Sequence, residues 1–365
     1  MNVAIIGTRG VPARYGGFET CAEELGRRLV ARGHAVTVYN RKAFYPERPR
    51  SHAGMTLRYA PALKARAVET LSHTLFSIAA ALPRRHDAWL VFNSANAPLL
   101  RLLRPGRPRV VLNVDGLEWQ RGKWGKAGKA YYRFAEKVAA KLPIAIVTDS
   151  RAIGAYFRER YGRETAYIPY GAAAAVSHEP SLLSRFGLEP GGYFLQVTRF
   201  EPENNPLLSL RAFEGLDTAK RLVLIGGTKY PTEYRDEIAA TKDPRVVLPG
   251  FVYDADLRRE LLANAFAYVH GNEVGGTNPA LLEAMAAGRF VIARDVPYNV
   301  EVLADAGSYF RKDAGALREK MAWALANAEK LPEYGERARA IVREHYDWDK
   351  IVAEYEALLS GKRGP

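Results

Sequence analysis

The opening stretch "MNVAIIGTRGVPARYGGFETCAEELGRRLVARGHAVTVYN" (1–40) decides the fold. "VAII" (3–6) is a short buried strand and "GTRGVPARYGG" (7–17) is a glycine-rich loop. Phe18, Cys21, Ala22, Leu25 and Leu29 then recur at helical spacing until Gly33 stops the helix. "AVTVYN" (35–40) is the next strand. Strand, loop, helix and strand in this order open a doubly wound parallel sheet.

The same alternation continues. "AWLVFN" (88–93), "RVVLNV" (109–114) and "AIVTDS" (145–150) read as further strands with helical segments between them. "YFLQVTRF" (193–200), "RLVLIGG" (221–227), "RVVLPGF" (245–251), "AFAYVHG" (265–271) and "FVIARDV" (290–296) form a second series, separated by helical stretches near 206–215, 232–240, 254–264 and 279–287. Between the series, 172–192 loses strand character and gains Pro and Gly. The expected fold is α/β, with two doubly wound, Rossmann-like domains at 1–172 and 173–345. A last helical stretch within 346–365 would cross back to the first domain. Domains of this type facing each other across a cleft would bind ligands at the carboxyl ends of their strands.

A length of 365 residues suits two cores. No apolar run approaches the roughly 18 residues of a membrane span, and the N-terminus lacks a signal-peptide layout, so a cytoplasmic protein is expected. The one cysteine, Cys21, excludes internal disulfides and a cysteine-rich metal site, and its apolar helix face marks it as core. A formal charge of +13 attracts anions: nucleic acid, anionic lipid or phosphorylated small molecules. The densest basic stretch, "RGKWGKAGKAYYRFAEKVAAKLP" (121–143), interleaves Lys and Arg with Trp124, Tyr131, Tyr132 and Phe134. It is either a solvated helix face or a surface that leans on anionic lipid at the inner face of the membrane.

The stretch "GGTNPALLEAMAAG" (275–288) carries the second domain's chemistry. Thr277 or Asn278 suits an N-cap, Pro279 the first helical position and Gly288 the stop. Gly275, Gly276, Thr277 and Asn278 offer backbone N–H groups at the positive end of a helix, a site for phosphate. Glu283 is the lone carboxylate on an otherwise apolar helix. It would accept hydrogen bonds from ligand hydroxyls, or pair with an arginine from elsewhere. Arg199 lies just past one strand, and Lys229 holds the equivalent position one strand later. Each is a fixed cation for a diphosphate or a surface charge.

In the first domain, Gly16 and Gly17 before the helix either let a substrate approach the backbone or permit a tight turn. The loop has neither the dinucleotide spacing nor a Gly-Lys-Ser/Thr ending. "DGLEWQR" (115–121) places Asp115 and Glu118 at a strand's carboxyl end beside Trp119, which would stack on a sugar or pack in the core. "DAD" (254–256) suits a helix cap better than a metal, and no His or Cys cluster has ligand spacing, so no metal is expected.

"YFLQVTRFEPENNPLLSLRAF", "RVVLPGFVYDADLRRELLANAFAYVHG" and "GGTNPALLEAMAAGRFVIARDV" resemble the C-terminal domain of retaining glycosyltransferases of family 4, which have the two-domain GT-B fold. "GTRGVPARYGGFE" and "NVDGLEWQRGKW" resemble a bacterial subgroup that includes rhamnosyltransferases of capsule and exopolysaccharide assembly. The resemblance runs from the first strand to "YDWDKIVAEY". It implies that Glu283 binds the ribose hydroxyls of a nucleotide sugar and that the preceding N–H groups hold phosphate and sugar. It also implies a leaving phosphate that takes the acceptor proton on the face where the acceptor attacks, with no protein nucleophile. This chain departs from the pattern in places. A family glutamate would fall at Gly275, leaving Asn278 or Glu273 to contact the donor sugar. The family's diphosphate-binding Arg and Lys correspond to Arg199 and Asn204, so that Lys229 would substitute for the lost cation. Asp115 stands where the family has a histidine.

The expected function is a hexosyltransferase moving a sugar, L-rhamnose from dTDP-L-rhamnose, to a saccharide or polyprenyl-linked acceptor in polysaccharide biosynthesis. Asp115, Arg199 and Glu283 would be catalytic. Gly16, Gly17, Asn204, Lys229, Gly276, Thr277 and Asn278 would bind the donor, and Arg14, Glu118 and Trp119 would lie on the acceptor side. No cofactor is implied beyond the nucleotide sugar as substrate, and no nucleic-acid partner. The rivals are a nucleotide-sugar epimerase of the same form and a non-catalytic module that binds a nucleotide or saccharide. A nucleic-acid binder would show steep salt-dependent binding to any duplex. A nicotinamide dehydrogenase lacks its fingerprint.

Overall fold

Parallel strands buried on both faces must be apolar along their length. In a computed structural model, which describes residues 1–14, 16–63, 68–103, 108–228 and 232–362, the central strands obey this rule. Every residue of "AWLVF" (Ala88–Phe92) is buried, as are Val3 to Ile6 of the first strand. The chain divides into two units, Met1–Tyr170 together with Trp348–Pro365, and Gly171–Asp347.

The first unit holds strands β1 (Asn2–Ile6), β2 (Ala35–Arg41), β3 (Ser51–His52), β4 (Met55–Ala60), β5 (Ala88–Phe92), β6 (Arg109–Asn113), β7 (Ala145–Thr148) and β8 (Ala166–Tyr167). Their order is β3-β4-β2-β1-β5-β6-β7-β8, parallel except for the β3–β4 pair. The order reverses between β1 and β5, the crevice where such sheets bind ligands. The terminal helix Trp348–Ser360 packs against the helix Gly17–Ala31 and against β5 and β6. Its Tyr355 hydroxyl accepts a hydrogen bond from Asn113 at 2.7 Å, so it closes the face over the sheet centre.

The second unit holds β9 (Tyr193–Arg199), β10 (Arg221–Gly227), β11 (Val246–Gly250), β12 (Ala267–His270), β13 (Phe290–Arg294) and β14 (Gly307–Phe310), all parallel in the order β11-β10-β9-β12-β13-β14. Phe194, Phe213, Leu224, Val269, Ile292 and Met321 share its core.

Strands read from apolar runs lie within two residues of their expected ends, whereas β3, β4, β8 and β14 escape that reading. In β4, Met55 and Leu57 are buried while Thr56 and Arg58 are exposed, the alternation of a strand near a sheet edge rather than an apolar run. Helices Ala314–Ala326 and Leu331–His345 also go unread. Cys21 is buried in the core. Among the described residues no helix is long and apolar enough to cross a membrane.

Candidate active site

The second unit assembles its half of the site at the adjacent ends of β9 and β12. Arg199 is the last residue of β9 and half-buried, and among the described residues its guanidinium makes no hydrogen bond or ion pair. Past β12 the chain runs through Gly275 and Gly276 into the helix Pro279–Ala286. Asn278 caps this helix, its Oδ1 accepting the Ala280 N–H at 3.0 Å. Thr198 Oγ1 donates to Asn272 Oδ1 at 3.1 Å and ties the Arg199 strand end to the glycine loop. Among the described residues, the N–H groups of Gly275, Gly276 and Asn278 have no backbone partner. A guanidinium and the positive end of a helix thus sit at neighbouring strand ends, the arrangement that holds phosphate.

Glu283 is not fully buried. It is about one-fifth exposed, and its Oε1 pairs with Arg258 from the helix Ala255–Ala263. The arginine partner expected as one alternative is therefore present, and a ligand hydroxyl would have to share or displace it.

Several expected roles are corrected by these contacts. Asn204 is buried, and its Nδ2 donates to the Arg199 carbonyl at 3.0 Å, so it positions that residue instead of offering a side chain to a ligand. Glu273 does not stand in for the missing glutamate, because Arg294 at 3.0 Å and Lys312 at 2.8 Å occupy its carboxylate. Burial pushes that carboxyl up, but the bonds from Lys312, Arg294 and Asn205 outweigh it and hold it below its ordinary range. Nor is the Asn278 side chain uncommitted, since its oxygen caps the helix. Gly275 itself has φ 144 with open space around it, a backbone that disfavours any side chain. Lys229 lies outside the described residues. Asp254 is a cap, accepting the Asp256 and Leu257 N–H groups at 3.1 Å and pairing with Arg185.

In the first unit, Asp115 follows β6 with φ 59. Its N–H bonds to Asn113 Oδ1 at 2.9 Å, and its Oδ1 accepts the Tyr170 hydroxyl at 3.3 Å. Burial pushes its carboxyl above the ordinary range; Arg121 opposes this, and Glu118 adds to it.

Glu118 is consumed locally. Arg121, Lys123 at 3.2 Å and the Trp124 indole N–H at 3.2 Å surround it. Although burial pushes it up, Arg121 and Lys123 bring the carboxyl down to about 2. These bonds hold the 118–124 loop together. Trp119 packs beside Tyr156, with the Arg133 guanidinium 4.4 Å from its ring centroid, which answers the stack-or-core question in favour of packing.

The glycine loop is also internally satisfied. Glu19 accepts the Arg9 N–H at 2.8 Å and Glu23 the Ala13 N–H at 2.6 Å, so helix carboxylates stand where a phosphate would need those amides. Gly16 has φ 107, and a Cβ there would meet Glu19 Oε2 at 2.7 Å, so the turn demands glycine. Gly17 starts the helix. Arg14 is exposed, bonds to the Phe44 carbonyl at 3.0 Å and covers Tyr45. Sequence reasoning missed Glu19, Tyr170 and Arg258; Tyr170 and Arg258 act through partners distant in the chain, for which no local signal exists, and Glu19 through the Arg9 N–H of the preceding loop.

Residues 186–341 match the family described as glycosyl transferases group 1, and residues 105–173 match a domain of unknown function, DUF1972. No curated protein matches the sequence. Among solved structures, a sucrose-phosphate synthase from Thermosynechococcus elongatus is similar with a TM-score of 0.85 and 19% identity, covering 99% of this chain and 98% of that one. HepE from Anabaena in complex with UDP-glucose gives 0.76 and 15%, covering 99% of both chains. WaaG, a glycosyltransferase involved in lipopolysaccharide biosynthesis, gives 0.72 and 16%, covering 98% of this chain and 100% of that one. The match to glycosyl transferases group 1 falls within the second unit, and the chain as a whole has the GT-B fold of two Rossmann-like units.

Proposed function

We propose that the protein is a retaining, metal-independent glycosyltransferase that moves L-rhamnose from dTDP-L-rhamnose to a saccharide or polyprenyl-linked acceptor. The observation that carries the donor half is the grouping in the second unit of Arg199, the 275–278 amides and Glu283. Arg199 and the amides would stabilise the charge that grows on the leaving diphosphate, and Glu283 would take the ribose hydroxyls as Arg258 gives way. The leaving phosphate would receive the acceptor proton, so no protein nucleophile is needed. Asp115, held by Tyr170, would orient the acceptor or steady positive charge developing on the sugar.

The helix Lys126–Lys141 exposes Lys126, Arg133, Phe134, Lys137 and Lys141, while Tyr132, Ala135 and Ala139 face inward. A basic face with one exposed aromatic supports contact with an anionic membrane, where a polyprenyl acceptor would reside.

Calorimetric titration with dTDP, UDP and GDP, in EDTA, tests the donor site. The subgroup resemblance favours dTDP, while the HepE complexes contain UDP and UDP-glucose. Metal-free binding of dTDP that Glu283→Ala and Arg199→Ala both weaken supports the proposal. Tighter UDP binding would reassign the donor, and no nucleotide binding would end the proposal.

A further inference from the structure

One cavity in the first unit has no part in the proposed transfer. It encloses about 380 Å³ and is bordered by Arg48, Arg50, Arg58, Arg84, Tyr39 and Tyr59, with no carboxylate in its lining. The arginines arrive from separate places: the loop before β3, strand β4, and the turn after the helix Glu69–Ala81. Tyr39 of β2 lies opposite Arg58 in register.

Several other arginines of this unit are neutralised, Arg27 and Arg28 by Glu24, Arg32 by Glu356 and Arg41 by Glu69. The cavity's four are exposed, and among the described residues none has an ion-pair partner. Arg84 donates to the Ala80 carbonyl of the preceding helix and bonds to the Tyr39 hydroxyl, neither of which neutralises its charge. Charges placed on an edge strand to prevent sheet pairing would not explain the group, since only Arg58 lies on a strand and β3 is the edge. Like charges gathered in one concavity repel, and the arrangement becomes favourable when an anion fills it.

We propose that this cavity binds a phosphate-bearing ligand with two or more negative charges, a diphosphate or a phosphomonoester, wholly within the first unit. A single carboxylate would leave most of the four guanidiniums uncompensated, whereas phosphoryl oxygens match their forked geometry. The site is not an extension of Asp115, because β2 and β6 stand three places apart in the sheet, roughly 14 Å.

The test is calorimetric titration of inorganic pyrophosphate into the full chain carrying Arg199→Ala, which removes the donor-site cation and keeps the outcome independent of the transfer proposal. Saturable binding at one site is expected, weakened about ten-fold or more by Arg58→Gln with Arg84→Gln. The pair Arg158→Gln with Arg160→Gln makes the same charge change on an exposed helix and should leave binding within about two-fold. Equal losses in both pairs would mean diffuse electrostatics, and that result, or no saturable binding, overturns the site. Vesicles of phosphatidic acid in phosphatidylcholine then assign the source. Competition with pyrophosphate indicates a lipid headgroup and its absence a soluble phosphate; both results uphold the site.

Discussion

Asp115 lies just past the end of β6 in the first unit and Glu283 in the helix that follows the loop after β12 in the second, and the two acids are held in opposite ways. The Asp115 carboxylate takes the Tyr170 hydroxyl and the Gly116 N–H, and burial still makes its charge costly. Glu283 rests against the Arg258 guanidinium. A carboxylate whose charge is poorly compensated suits contact with positive charge that develops during reaction. One whose charge is already satisfied suits a binding task, where neutral ligand hydroxyls share it. The contrast lies in the partner each fold supplies, since the residue types are nearly the same.

The largest effects should come from dismantling the second unit's half-site. Arg199→Ala is expected to lower kcat by about 10²–10³, the usual cost of losing one donor aimed at developing charge. Glu283→Ala should instead act mainly on KM; if it changed kcat as much as Arg199→Ala does, the division between binding and charge stabilisation would be broken.

A second buried acid of the first unit tests whether costly charge there has a thermodynamic signature. Burial pushes Glu136 up from 4.5 to about 7, against hydrogen bonds from Tyr156 at 3.0 Å and Tyr161 at 3.3 Å. The folded state then holds a proton that the unfolded state releases first. Stability should therefore fall as pH rises from 4.5 to about 7, by up to about 3 kcal/mol. Chemical denaturation across that range should show the slope, and Glu136→Gln should flatten it.

Asp115→Asn sharpens the same point at the site. Transfer should drop about 10–100-fold at neutral pH. Because the raised pKa means that the ionised form destabilises the fold, and because asparagine tolerates φ 59, thermal stability should rise. A variant less active and also less stable would mark Asp115 as structural.

Gly275→Glu restores the family's carboxylate in sequence but not in geometry. With φ 144 it should cost about 1–2 kcal/mol and gain no activity; a rate increase would show that the loop adapts. The smallest change is expected from Arg258→Ala, within about three-fold in nucleotide Kd, because the lost partner orients Glu283 but also competes with the ribose. A loss matching Glu283→Ala would make Arg258 part of the binding site.

Much of this was legible residue by residue. The cap at Asn278, the helix from Pro279 and the position of Glu283 within it follow from local rules, and the structure agrees within a residue. The capping role of Asp254 was readable for the same reason. The three neighbours that fold back onto the Glu118 carboxylate are not legible in the sequence, because a turn signature does not reveal how many donors will converge. The bond from Asn204 to the Arg199 carbonyl is not legible either, because alignment with a family lysine says nothing of where a shorter, neutral side chain turns.

The sequence by itself determined the alternation of buried strands and helices, the glycine turn at Gly16 and the glycine loop before a capped helix, because periodicity, backbone freedom and capping act over a few residues. Only the tertiary structure decided that Glu283 meets Arg258, that Asp115 meets Tyr170, and that four arginines share one cavity without an acid. Those encounters join residues tens of positions apart. Their energies depend on which groups burial brings together and on the water it removes, quantities that exist only once the chain has packed.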